Sequence, residues 1–247
     1  MKTRNQGLFV LLFSSILFGT ACKKNVSLEA IKPNTNVRIE ISHVVDNTPL
    51  LFDSINYANK GGNKYSVTRL NYYISDIILQ NNKGETYNSN STYYVNGRNA
   101  SNVINLLEMP TGNYTSMRFL IGLNPTQNTS NSLENNVDNL NMAWPEVIGG
   151  GYHFLKFEGY YLDSARTKQG FTMHLGTNDM LVVHQSLPIS LVIEENKPDT
   201  IGLQMNLNEW FQNPHTWDFN VDGNYTMAIP ELMTLLKNNG TDVFTIK

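Results

Sequence analysis

Apolar and polar residues alternate with period two along much of this chain. Val37, Ile39, Ile41, His43 and Val45 fall on one side of an extended segment, and Arg38, Glu40 and Ser42 on the other, which predicts a strand with one buried face and His43 turned with the apolar residues. Residues 65–79 form a longer β segment that ends at the turn residues Asn81-Asn82-Lys83-Gly84. Residues 91–96, 114–123, 151–162, 187–194 and 200–207 read as further strands, and with few helical crossovers between them antiparallel pairing is expected. A helical period occurs near the C-terminus, where Ile229, Leu232, Met233 and Leu236 recur at i, i+3, i+4 and i+7 behind Pro230, with Asn238-Asn239-Gly240 as a stop. Residues 208–212 read as one helical turn, and the asparagine-dense stretch 126–141 as a surface loop with a helical turn. The fold expected is all-β: an antiparallel β-sandwich with short edge helices and a C-terminal amphipathic helix.

The first residues follow a different logic. Lys2 and Arg4 precede an apolar run over residues 8–18, and Gly19-Thr20-Ala21 supplies small residues before Cys22, the pattern of a bacterial secretory signal. The run is shorter than the roughly 20 residues that span a bilayer. Cys22 is the single cysteine, so no intramolecular disulfide can form, and its place after the small residues resembles a lipobox, where that cysteine carries lipid and becomes the mature N-terminus. This predicts a signal peptide over 1–21, a flexible lipid-attached tether over 22–36 that includes Pro33, and one domain over 37–247. The membrane partner is then the lipid at Cys22, and the location the cell envelope, as an outer-membrane lipoprotein facing the periplasm or the surface. Lys23-Lys24-Asn25 lacks the acidic residues of a surface-export tag, which leans toward the periplasm.

Composition narrows the chemistry. The formal charge of −3 becomes −5 when Lys2 and Arg4 leave with the signal, and no Lys/Arg cluster tracks phosphates, so nucleic acid is excluded as a partner. No nucleophile elbow, P-loop, dinucleotide fingerprint or HExxH occurs. Glu146, Glu158 and Asp163 show no spacing of an acid/base pair, and an enzyme is not expected.

The densest candidate chemistry lies between Met142 and Gly176, which carry Trp144, His153 and His174. On a regular strand His153 shares a face with Leu155 and Phe157, while Tyr152, Phe154, Lys156 and Glu158 share the other; in 171–175, Thr172 and His174 oppose Phe171, Met173 and Leu175. Histidines from two strands can converge on one metal, and neutral imidazole is a common copper ligand, with occupancy expected to fall below the about 6.5 of an ordinary histidine. Gly149-Gly150-Gly151 permits a sharp turn before His153. The competing reading is structural: a histidine on an apolar face is more often a hydrogen-bonded core residue, above all His43, His184 and His215, and Met142, Met173 and Met180 are better explained by packing than by thioether ligation. Two other functions fit the composition: a glycan-binding β-sandwich lipoprotein using Tyr160, Tyr161, Trp210 and Trp217 as stacking platforms, or a structural surface module without a small ligand.

A resemblance favours the metal. Ile41-Ser42-His43, Leu70-Asn71-Tyr72-Tyr73-Ile74-Ser75-Asp76, Ile121-Gly122-Leu123-Asn124, Met142-x-Trp144, the run from Gly151 to Gly159 and His174-Leu175-Gly176, in that order, resemble the MbnP-like family over nearly the whole mature chain. The lipoprotein style is similar to that of Bacteroidetes members. The resemblance implies a copper-binding envelope protein in which histidines and a tryptophan oxidised to kynurenine hold the metal, with a di-haem partner of the cytochrome c peroxidase type making the modification. It implies Trp144 as the modified residue and His153 and His174 as ligands. It departs in one respect: Pro145-Glu146 follows Trp144 where the better-known copper proteins place a histidine.

Overall fold

The computed structural model describes residues 34–247; the signal segment, Cys22 and the tether up to residue 33 lie outside the described residues. In chain order the strands are β1 (Asn34–Val45), β2 (Thr48–Pro49), β3 (Tyr57–Ala58), β4 (Lys64–Asn81), β5 (Thr86–Asn88), β6 (Thr92–Asn96), β7 (Asn102–Pro110), β8 (Gly112–Ile121), β9 (His153–Leu162), β10 (Lys168–Gly176), β11 (Val182–Val183), β12 (Leu187–Ile193), β13 (Asp199–Asn206) and β14 (Phe244–Ile246). Two α-helices join them, the single turn α1 (Val137–Asn141) and the C-terminal α2 (Pro230–Asn239). β1 thus begins at Asn34, inside the stretch the sequence assigns to the tether.

The strands form two sheets. In the smaller, β13 and β7 flank β1, with β14 beyond β13 and β2 on the end of β1; the larger runs β10-β9-β4-β8-β11, with β12 on β8 and β3, β5 and β6 on β4. Among the described residues, all pairings between these strands but one are antiparallel. The exception is β1–β13, parallel from Val37 opposite Asp199 to Val44 opposite Asn206. That pairing joins strands at opposite ends of the domain, a distance in sequence that no local alternation records.

Alternation decides which faces meet. Val37, Ile39 and Ile41 of β1 and Ile201, Leu203 and Met205 of β13 are buried, and their polar neighbours look outward. The sheets touch where Phe244 of the smaller meets Phe119 and Tyr72 of the larger, at ring separations of 5.3 and 6.1 Å. His43 does face inward, with Nε2 2.8 Å from the Tyr72 hydroxyl. One end of the core is filled by aromatics, Phe211 lying 5.1 Å from Phe157 and Phe219 4.9 Å from Phe171. Pro230 opens α2 at a position where a missing N–H costs nothing, and Met233 and Leu236 press into the core.

Candidate metal centre

The outer face of the larger sheet carries the candidate residues. Across β4, β9 and β10, Asn71 lies opposite Lys156 and Lys156 opposite His174, while in the next row Arg69 lies opposite Glu158 and Glu158 opposite Thr172. His174 therefore shares a polar face with Lys156 and Glu158. Strict alternation sends His153 to the other side with Leu155 and Phe157, and here the structure corrects the sequence. Leu155 pairs with Leu175, but the next residue of β10, Gly176, pairs with His153, so β9 carries one extra residue at this step. Such a bulge resets the alternation. The His153 ring consequently lies 5.0 Å from that of His174, at an interplanar angle of 88°.

Trp144 closes the cluster from above. The Met142–Trp144 segment runs back along Gly151–His153: the Trp144 N–H donates to the Gly151 carbonyl at 2.9 Å and the His153 N–H to the Met142 carbonyl at 2.6 Å. The turn between them needs its glycines, because Gly149, Gly150 and Gly151 all have φ between 66° and 120°. The indole, 2% exposed, lies 4.7 Å from the His153 ring and presses on the backbone of Gly176. A Cβ at 176 would stand 2.3 Å from Trp144 Cε3, so the glycine after His174-Leu175 exists to admit this ring.

The imidazoles are held alike. His153 Nδ1 donates to the Met142 carbonyl at 3.1 Å, which leaves the lone pair of the neutral ring on Nε2. His174 Nε2 donates to Glu158 Oε1 at 3.0 Å, and Glu158 is itself bound by Arg69 Nη1 at 3.0 Å. This leaves the His174 lone pair on Nδ1, which is buried without a hydrogen-bond partner. The backbone of His174 is clasped as well: Thr226 Oγ1 accepts from its N–H at 2.7 Å and donates to its carbonyl at 2.6 Å. One nitrogen of each ring is thus oriented by an acceptor, as metal-ligating histidines usually are, and Nδ1 of His174 is left without a partner.

Electrostatics follow from burial. Burial, helped by Lys156 and His174, pushes His153 down to about 3, so the fall in occupancy expected near 6.5 does not apply to this ring. Burial alone would raise the Glu158 carboxyl, but the His174 hydrogen bond and Arg69 outweigh it and hold it below the usual carboxylate range. Among the described residues no three His, Cys, Asp or Glu side chains gather as a metal cage, so the site offers two imidazole donors. Trp144 adds none in its unmodified form, since its Nε1 N–H donates to the Ile148 carbonyl at 3.0 Å and an indole nitrogen carries no available lone pair.

The remaining candidates resolve as structure. His184 is fully satisfied, donating from Nδ1 to the Gln185 carbonyl at 2.9 Å and accepting the Phe244 N–H on Nε2 at 3.0 Å. His215 Nε2 approaches Asp222 Oδ1 to 3.2 Å without hydrogen-bond geometry, and its ring packs on Trp217. Met142, Met173 and Met180 are buried, and Met142 contributes its carbonyl to the centre. Three of the four candidate sugar platforms are buried, Tyr161, Trp210 and Trp217 being core residues; Tyr160 is exposed, with the Lys168 ammonium 3.9 Å over one face. Sequence reasoning missed Glu158 as the partner of His174, and Arg69 behind it, because only strand register brings them together.

The fold and this arrangement can be set beside known proteins. A search of curated proteins returns no match. Among solved structures, MbnP from Methylosinus trichosporium superposes with a TM-score of 0.56 at 15% identity, over 86% of this chain and 98% of that one, a likeness of fold. The MbnP family model matches residues 34–229, from the first residue of β1 to the threshold of α2. By that match, over most of its length, the chain belongs to the MbnP family.

Proposed function

We propose that this protein is a copper-binding lipoprotein of the cell envelope that captures or hands on the metal, with His153 and His174 as ligands and Trp144 as the residue that completes the site after oxidation. The observation that carries this reading is the buried, unpartnered Nδ1 of His174 beside the His153 ring, each histidine having its other nitrogen tied to an acceptor. His184, a core histidine, has both nitrogens satisfied by contrast. Imidazole nitrogens favour copper over the other divalent first-row ions. Oxidation of the Trp144 indole to kynurenine adds an aromatic amine and a ketone, donors that two imidazoles leave room for. A hollow of about 360 Å³ lined by Leu140, Ala143, Trp144, Glu146 and Tyr152 reaches the indole from outside, and Leu140 and Val147 stand exposed nearby, so a di-haem partner of the cytochrome c peroxidase type has a route to it. The sequence around Cys22 supports attachment to the membrane by lipid, and no described helix is long and apolar enough to cross one.

Titration of Cu(I) and Cu(II) into wild type, His153→Ala, His174→Ala and the double variant tests the ligands. Each single variant should lose at least about tenfold in affinity, and Glu158→Ala about 10- to 100-fold by removing the acceptor that orients the His174 ring. Equal affinity in a folded double variant rules the assignment out. Peptide mass spectrometry on material from the native host should find oxidation confined to the Trp144 peptide, absent from heterologous protein; an unmodified peptide in copper-loaded host material removes Trp144 from the site.

A further inference from the structure

We infer that a second, anion-binding site lies beside the histidine cluster: a hollow of about 330 Å³ lined by Arg69, Arg98, Lys156 and Asn71 that takes a small oxyanion, a carboxylate or phosphate of a low-molecular-weight ligand. It shares the outer face of the larger sheet with the histidines, since Lys156 lies between Asn71 of β4 and His174 of β10. Met142 and Asn141 form its wall toward the cluster. Three cationic side chains line it against one carboxylate, that of Asp138.

The cations differ in how far they are already neutralised. Arg98 is the most committed: Nη2 holds both oxygens of Asp53 at 2.7 and 2.8 Å, Nε and Nη2 donate to the Thr68 carbonyl at 3.1 and 2.8 Å, and the guanidinium lies over Phe52, whereas Arg69 uses only Nη1, on Glu158 at 3.0 Å. Glu158 is shared with His174, so Arg69 has a half-committed counter-ion and further N–H donors to give. Lys156 has no ion pair among the described residues; its Nζ donates to the Asn141 carbonyl, a neutral acceptor. Lys156 is thus a half-buried ammonium beside an arginine, with Glu158 near it but no carboxylate in ion-pair contact. Burial and Arg69 lower its proton affinity, and Glu158 partly offsets them. The size selects a small ligand, since the hollow is at the lower end of the range for bound molecules. The uncommitted N–H groups of Arg69 and the Lys156 ammonium match the planar or tetrahedral oxygens of an oxyanion, with Arg98, already paired with Asp53, at the edge of the hollow, while a neutral sugar has no use for these charges.

The test uses copper-free wild-type protein, so its result stands apart from the copper reading. Citrate, inorganic phosphate, sodium chloride at matched ionic strength and neutral sucrose are titrated in by calorimetry, with the side-chain nitrogen resonances of Arg69 and Arg98 followed by NMR. Citrate or phosphate should bind saturably with a Kd below about 1 mM and move both arginine signals; the tighter of the two identifies carboxylate or phosphate. Arg98→Gln combined with Lys156→Gln should weaken binding by at least about tenfold. The inference is overturned if neither anion gives a saturable response, if chloride or sucrose gives the same one, or if the folded double variant binds as wild type. Should that variant not fold, unmoved arginine signals in wild type overturn it alone.

Discussion

Gly176 shows how a single missing atom positions the centre. The six-membered ring of Trp144 occupies the space where a Cβ at 176 would be, with Cε3 and Cζ3 within 2.3 and 2.6 Å of it. Gly176→Ala should therefore cost about 1–3 kcal/mol of stability and displace the indole from His153. Gly170, on the same strand, supplies the control, since its nearest neighbour would be 4.0 Å from a new Cβ. Gly170→Ala should change stability by no more than about 0.5 kcal/mol. Urea unfolding of both, with near-UV circular dichroism of the tryptophans, separates strain from a general effect of adding a methyl group; equal losses would contradict the packing argument.

At the scale of elements, β9 and α2 bear different loads. The extra residue in β9 places His153 on the side of His174, so this strand decides whether the centre exists. α2 packs on β10 and contributes stability, burying Leu236 completely while Leu232 and Leu235 pack at its margin. Leu236→Ala should cost about 2–5 kcal/mol through the cavity it leaves. Because α2 supplies none of the hydrogen bonds that orient His153, His174 or Trp144, copper affinity of the folded variant should equal that of wild type; a parallel loss of affinity would mean that α2 holds the centre in place.

Over the whole molecule, buried histidines set the response to acid. Burial pushes His43 down to about 4 and His153 to about 3, and lowers His184 as well. Unfolded histidine takes up a proton near pH 6.5, so between that pH and the folded values the unfolded chain binds more protons and stability falls as pH falls. Their contribution is fully present above about 6.5 and is lost progressively down to about 3–4; for His43 alone the difference corresponds to about 3 kcal/mol. Denaturant midpoints measured from pH 7.5 to 4 should fall steadily below 6.5, and less steeply in His43→Phe if that variant is folded. A flat profile would show that these rings are not buried as neutral groups.

The sequence alone determined what depends on neighbours along the chain. Period-two alternation located β1, β4, β6, β8, β9, β12 and β13 within a few residues, and the 3.6-residue period with Pro230 located α2, because each element's own pattern must match the face it buries. β7 escaped, since Asn102, Asn105 and Glu108 interrupt its apolar residues, and β14 is three residues long. Motif order singled out Trp144, His153 and His174, and the glycine triplet before His153 was legible as a turn. Only tertiary structure decided the rest. The parallel β1–β13 pair, the Arg69–Glu158–His174 chain and the burial of Trp210 and Trp217 depend on residues far apart in sequence. The bulge that turns His153 toward His174 leaves no trace in alternation, because an inserted residue is visible only against the strand it pairs with.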